Sequence, residues 1–145
     1  MKTQKGFTLI EMLVVIAIIA ILAAIVIIAV NPARQFALAR NAQRWSNVNA
    51  ILNGVWQYAV DNKGSVPGTI PTIATEICKT GAASCTGLVD LSVLTDEGKY
   101  IVAIPVDPKS ASDNGTGYFV QKLANERISV TAPSAELGEK IEAMR

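Results

Sequence analysis

Residues 7–30 read FTLIEMLVVIAIIAILAAIVIIAV, and the reading of this stretch decides the fold. Its last nineteen residues, Met12–Val30, contain no charge and no strongly polar group. Extending back to Phe7 adds only Thr8 and Glu11 as interruptions. As a helix rising ~1.5 Å per residue, the stretch is about 36 Å long, enough to cross a bilayer. Ile and Val are mediocre helix formers in water. In lipid the backbone must satisfy its own hydrogen bonds, and that favours helix.

The residues before the run are basic, Lys2 and Lys5, as in a secretory signal peptide. The apolar run is too long for one, and no small-residue cleavage site closes it. No cysteine follows directly, so lipoprotein processing is excluded. A plain membrane anchor remains open. Glu11 does not suit a plain anchor, because a carboxylate inside a spanning segment costs roughly 2.5–3.5 kcal/mol. Glu11 either sits near the interface or awaits a cationic partner; the residues around it match a known pattern, which favours the partner.

Lys5-Gly6-Phe7-Thr8-Leu9-Ile10-Glu11 followed by a long apolar helix resembles the class III signal of type IV prepilins and pseudopilins. The resemblance is close over residues 1–30 and looser beyond. It implies that a prepilin peptidase removes residues 1–6 by cutting between Gly6 and Phe7 and methylates the new Phe7 amine. It further implies a homo-oligomeric filament built by a pilus or secretion assembly machinery. The precursor would span the cytoplasmic (inner) membrane once, with its C-terminal domain outside. The filament would be a cell-surface pilus or a periplasmic pseudopilus. Chemistry adds its own argument: cleavage places a positive amine four residues from Glu11, where a stack of subunits can pair one chain's carboxylate with a neighbour's Phe7 amine. Lys2 and Lys5 favour a cytoplasmic N-terminus, although Arg34, Arg40 and Arg44 nearly balance the count.

Asn31-Pro32 ends the apolar run and predicts a stop or kink. Pilins often carry a helix breaker within the membrane stretch, and here it comes at the end. From 31 to 62 the pattern is amphipathic. Leu38, Trp45, Val48, Leu52, Val55 and Ala59 form the apolar stripe, flanked by Ile51 and Trp56. Arg40, Gln43, Arg44, Asn47 and Gln57 are assigned to the polar side, with anionic headgroups as the expected partners of the arginines. The helix is expected to run to about Val60, and Asp61-Asn62-Lys63-Gly64 reads as its stop.

Residues 63–145 read as a loop followed by a small antiparallel sheet. Ser65–Thr86 is rich in Gly, Pro, Thr, Ser and Ala and reads as loop. Its two cysteines, Cys78 and Cys85, suggest one disulfide in an exported domain. Strands are expected at Tyr100–Ile104, Tyr118–Leu123 and Arg127–Thr131. Val89–Leu94 reads as a short helix or strand, and Ala135–Met144 as a helix or a frayed tail. The run Ile104-Pro105-Val106-Asp107-Pro108, followed by Gly115-Thr116-Gly117-Tyr118, resembles the segment before the last strands of many pilins and major pseudopilins. Some major pseudopilins bind calcium near that loop. Asp107, Asp113 and Asn114 are the corresponding oxygen donors, with turn formation as their commoner role.

Composition narrows the function. Histidine is absent from the 145 residues, which removes His-based acid–base work and the commonest zinc ligand. No Gly-rich phosphate loop or nucleophile elbow is present, so no enzyme or catalytic site is expected. Residues 1–60 hold five Lys/Arg against one acid, and residues 61–145 eight against eleven. The net charge of +1 gives no case for nucleic-acid binding. The sequence thus predicts an α+β, pilin-like chain: a long N-terminal helix, half membrane-spanning and half amphipathic, packed on a small antiparallel sheet. Its function is expected to be that of a filament subunit. The alternatives are a pseudopilin of a type II secretion system and, in another class, a single-pass anchored binding domain.

Overall fold

The computed structural model describes residues 6–145. Residues 1–5, with Lys2, Lys5 and most of the expected leader, lie outside the described residues. The chain divides into two units, one ending at Phe36 and one spanning Ala37–Arg145.

In the first unit, helix α1 runs over Leu9–Val30 and no residue in it is buried. Among the described residues it is the one helix long and apolar enough to cross a membrane. It ends at Asn31, which adopts the left-handed conformation with φ 47°. The next helix, α2, covers Pro32–Asp61. Proline is tolerated at its first position because that N–H has no helical acceptor to lose. The Asn31 side chain caps the new start, its Oδ1 accepting from the Arg34 amide at 3.3 Å. One residue thus closes one helix and opens the next.

Most of α2 belongs to the second unit. Ala37, Asn41, Arg44, Val48, Ile51, Leu52, Gly54, Val55 and Ala59 are its buried residues. Leu38, expected on the apolar stripe, is exposed. Trp45 and Trp56 are half-buried against the core, as their packing role requires. The helix closes as its stop signal predicts: Gly64, at φ 88°, donates its amide to the Ala59 carbonyl at 2.8 Å. Only a residue without Cβ enters that conformation at low cost.

Four antiparallel strands form the sheet in the order β1-β2-β3-β4. They are β1 (Thr75–Cys78), β2 (Gly115–Lys122), β3 (Ile128–Ala132) and β4 (Ile141–Met144). Register is set by pairs such as Val120 with Val130 and Val130 with Ala143. Tyr118, Val120, Ile128, Val130 and Ile141 bring their apolar side chains to the core formed with Val48, Ile51, Leu52 and Val55 of α2.

Three segments differ from expectation. Tyr100–Ile104 is not a strand. Its Ile101 fills the space over Gly54, where an added Cβ would meet Ile101 Cδ1 at 2.8 Å. Its backbone bonds are local or to side chains: Ile101 N–H to Leu94 O, and Ile104 N–H to Thr80 Oγ1. β-Branched residues need a free ladder to become a strand, and the edge of β1 is taken by Val89, which bonds to Glu76 and Cys78. Ser65–Thr86 is not all loop, because β1 lies inside it. The chain end is a strand rather than a helix: Leu137 and Gly138 have φ of 61° and 73°, which breaks any helix before Ile141. Within Val89–Leu94, Ser92–Leu94 makes one short 3-10 turn.

Cys78 and Cys85 are disulfide-bonded, with Cα atoms 5.5 Å apart. The clip ties the end of β1 to the turn that delivers Val89 back to it. In the chain-entropy picture a loop this short stabilises by about 2.5 kcal/mol. Replacing both cysteines with serine should lower the unfolding free energy by about that amount, measured by urea titration. An unchanged midpoint would show that the loop is held by its other contacts.

Candidate functional site

The expected processing site lies at the start of α1. Gly6 and Phe7 precede the helix, and Phe7 is 79% exposed. Among the described residues, nothing comes within 4 Å of where a Gly6 Cβ would sit. Thr8 is the helix cap, in an extended conformation. Its Oγ1 accepts from the Glu11 amide at 3.3 Å. In return Glu11 Oε2 accepts from the Thr8 amide at 2.7 Å and the Thr8 hydroxyl at 2.8 Å. This is a capping box, in which two helix-end donors are satisfied reciprocally. It places the carboxylate at the positive end of the helix dipole. Both bonds fall on Oε2, and none of the described residues bonds to Oε1. Thus the box explains how a carboxylate is carried at the head of an apolar helix.

A second polar cluster, missed in the sequence, lies in the globular unit. Arg44 is fully buried. Its Nε donates to Asp107 Oδ2 at 2.6 Å and its Nη2 to Asp107 Oδ1 at 3.3 Å. Its Nη1 donates to Asn41 Oδ1 at 2.9 Å and Glu136 Oε2 at 3.0 Å. Glu136 also accepts from Arg40, at 2.6 and 2.9 Å. Asn41 completes the cluster, donating to the Glu136 carbonyl and to Glu139, both at 2.8 Å, and accepting from the Glu136 amide at 3.0 Å. Arg40 and Arg44 therefore face protein carboxylates in this domain, which corrects the headgroup assignment. The signal was present: Ala37, Asn41, Arg44, Val48, Ile51 and Val55 follow one another at alternating steps of four and three, so Arg44 falls on the core face.

Asp107 is thereby placed. Besides Arg44, its Oδ1 accepts from the amides of Lys109 and Ser110, each at 2.8 Å. Gly117, at φ 80°, passes so close that an added Cβ would meet Asp107 Cβ at 2.8 Å. Of the expected oxygen donors, Asp107 is already bonded to Arg44 and to two backbone amides. Among the described residues, no group of three or more His, Cys, Asp or Glu is placed to hold a metal.

Burial pushes the Asp107 carboxyl up, but Arg44 and the two amides outweigh it and hold it at about 2. Arg40 first and Arg44 second lower Glu136 as well. A carboxyl depressed in the folded state contributes stability above its unfolded value, and that stability is lost as pH falls through the folded value. The thermal midpoint should therefore fall as pH drops from 3.8 towards about 2. Asp107→Asn should start lower and show a shallower acid limb. An identical limb in that variant would remove Asp107 as its source.

Residues 1–27 match the family model described as the prokaryotic N-terminal methylation motif. This is the signal of type IV pilins and pseudopilins, and it supports a structural subunit of that general kind. The signal and the apolar helix fit a membrane-anchored precursor. No curated protein and no solved structure matches the chain.

Proposed function

We propose that the chain is the precursor of a type IV pilus-like filament subunit. The observation that carries this reading is the methylation motif over residues 1–27, which contains the Thr8–Glu11 capping box at the head of an apolar helix. Cleavage between Gly6 and Phe7 leaves α1 attached to the product. The amine exposed on Phe7 then becomes the cation that Glu11 of an adjacent subunit meets. The apolar helices bundle into a core, and the sheet domains lie outside.

The Cys78–Cys85 clip, which stiffens a loop, favours a surface pilus, and the Pro105-Val106-Asp107-Pro108 loop favours a secretion pseudopilus. Gly6→Leu tests the processing step. The variant should accumulate uncut while wild type is cut, read as a difference in intact mass from the same cells. Equal processing of both would exclude cleavage at this glycine.

A further inference from the structure

The turn between β3 and β4 presents an apolar side chain in a conformation that suits it poorly. Leu137 and Gly138 both have positive φ, 61° and 73°. The Glu139 amide closes the turn on the Glu136 carbonyl at 3.2 Å. Asn-Gly fills two such positions at least cost, whereas the Cβ of a leucine crowds the following carbonyl. Backbone strain of this kind persists where its surroundings impose it, and it collects at functional positions. Here both ends of the turn are pinned to α2. Asn41 brackets Glu136, accepting from its amide at 3.0 Å and donating to its carbonyl at 2.8 Å. Glu139 is held by Trp45 and Asn41. The tip held out between them is Leu137, 55% exposed.

A matching socket lies at the other end of α2. Val60 is 79% exposed. With Gln57, Asp61, Lys99 and Tyr100 it lines a shallow pocket of about 320 Å³. Tyr100 is fixed there, its hydroxyl accepting from the Lys99 ammonium at 2.8 Å and donating to Asp61 at 3.0 Å. Gln57 comes sixteen residues after Asn41. Knob and socket are therefore ~24 Å apart along α2 and on roughly opposite sides of it, so they do not meet within one chain. Each is free to meet its counterpart in a second copy. Charge agrees with that pairing: Glu139 beside the knob and Lys63 just past the socket form no ion pair among the described residues. A contact that joins one patch to a different patch repeats head to tail, the kind from which open filaments are built.

We propose that Leu137 of one subunit seats against Val60 and Tyr100 of the next. The inference rests on the filament reading and assigns a contact between its outer domains. Leu137→Asn should raise the thermal midpoint of the full chain in detergent micelles by several degrees, because asparagine relieves the strain. The same variant should be cut as wild type is, and its yield of sheared fibres should fall at least about tenfold. The contact is then read with a bis-maleimide, since the chain has no free cysteine. Lys140 flanks the knob and Gln57 the socket, and both are exposed. Fibres carrying Lys140→Cys together with Gln57→Cys should give a ladder of covalent multimers, and fibres carrying either alone should give none. Wild-type cells without fibres would overturn the filament reading and this contact together. Where wild type makes fibres, the contact alone is overturned if Leu137→Asn assembles fully or lowers the midpoint, if fibres of the double variant give no ladder, or if either single variant cross-links.

Discussion

Arg44→Met should cost the folded domain about 3–5 kcal/mol, the usual penalty for removing one partner of a buried ion pair. The physical cause is the group left behind. Asp107 is buried, and without the guanidinium no cation is left against its charge, only the neutral donors of Lys109 and Ser110. Glu136 loses one of its arginines, and Asn41 Oδ1 loses one of its two donors, keeping the Glu136 amide. The segment joining β3 to β4 is held to α2 through these contacts, so its docking should loosen first. Urea unfolding of the full chain in detergent measures the cost. Lys109→Ala supplies the contrast: its ammonium reaches Glu136 at only 3.4 Å and is largely exposed, so it should change stability by less than about 1 kcal/mol. Arg44→Met combined with Asp107→Leu should recover part of the loss, since removing both charges removes the desolvation penalty. A single Arg44→Met variant as stable as wild type would show that the ion pair contributes nothing net.

Glu11→Ala should leave processing intact and abolish assembly under the proposed function. In the free chain the carboxylate is bonded by Thr8, so its loss removes one helix cap at the start of α1 and nothing in the sheet domain. A cap is worth about 1 kcal/mol, too little to unfold a long apolar helix in lipid. In the filament the same substitution leaves a neighbour's Phe7 amine without its counter-charge in an apolar core. At about 3 kcal/mol per contact, affinity falls more than a hundredfold, and each subunit meets the loss again. Cells carrying the variant should hold cut, membrane-bound subunits and yield no sheared fibres. Normal fibres from Glu11→Ala would favour the anchored binding domain over the filament.

How much of this was legible in the sequence follows from where the constraints lie. The apolar run and the Asn31-Pro32 break are local signals, and the helices change over at that point. Gly64 announces the end of α2 because its conformation is available to few other residues. The β2–β3 hairpin was readable from an aromatic and apolar run after Gly115-Thr116-Gly117, the Asn125-Glu126 turn and the alternation of Arg127–Thr131. By contrast, β1 and β4 are four residues each and exist because a paired strand lies beside them. Ile141–Met144 contains Glu, Ala and Met, which favour helix in isolation, and β3 overrides that preference. Tyr100–Ile104 shows the reverse, a strand-like sequence that joins no ladder and instead packs Ile101 over Gly54. The Arg44 cluster joins residues 63 and 92 positions apart, so charge pairing of that range had no local trace beyond the spacing of Arg44 on the core face. The methylation signal was legible because it is a linear motif, while the reciprocal bonding of Thr8 and Glu11 needed the helix start to be located.

The central claim is that this chain is cut at Gly6 and used as a filament subunit. The most direct test is the intact mass of the protein from native cells. The account predicts the mass of residues 7–145 plus one methyl group and less two hydrogens, the last for the Cys78–Cys85 disulfide. A mass equal to the full 145 residues, with no methyl group, would contradict it.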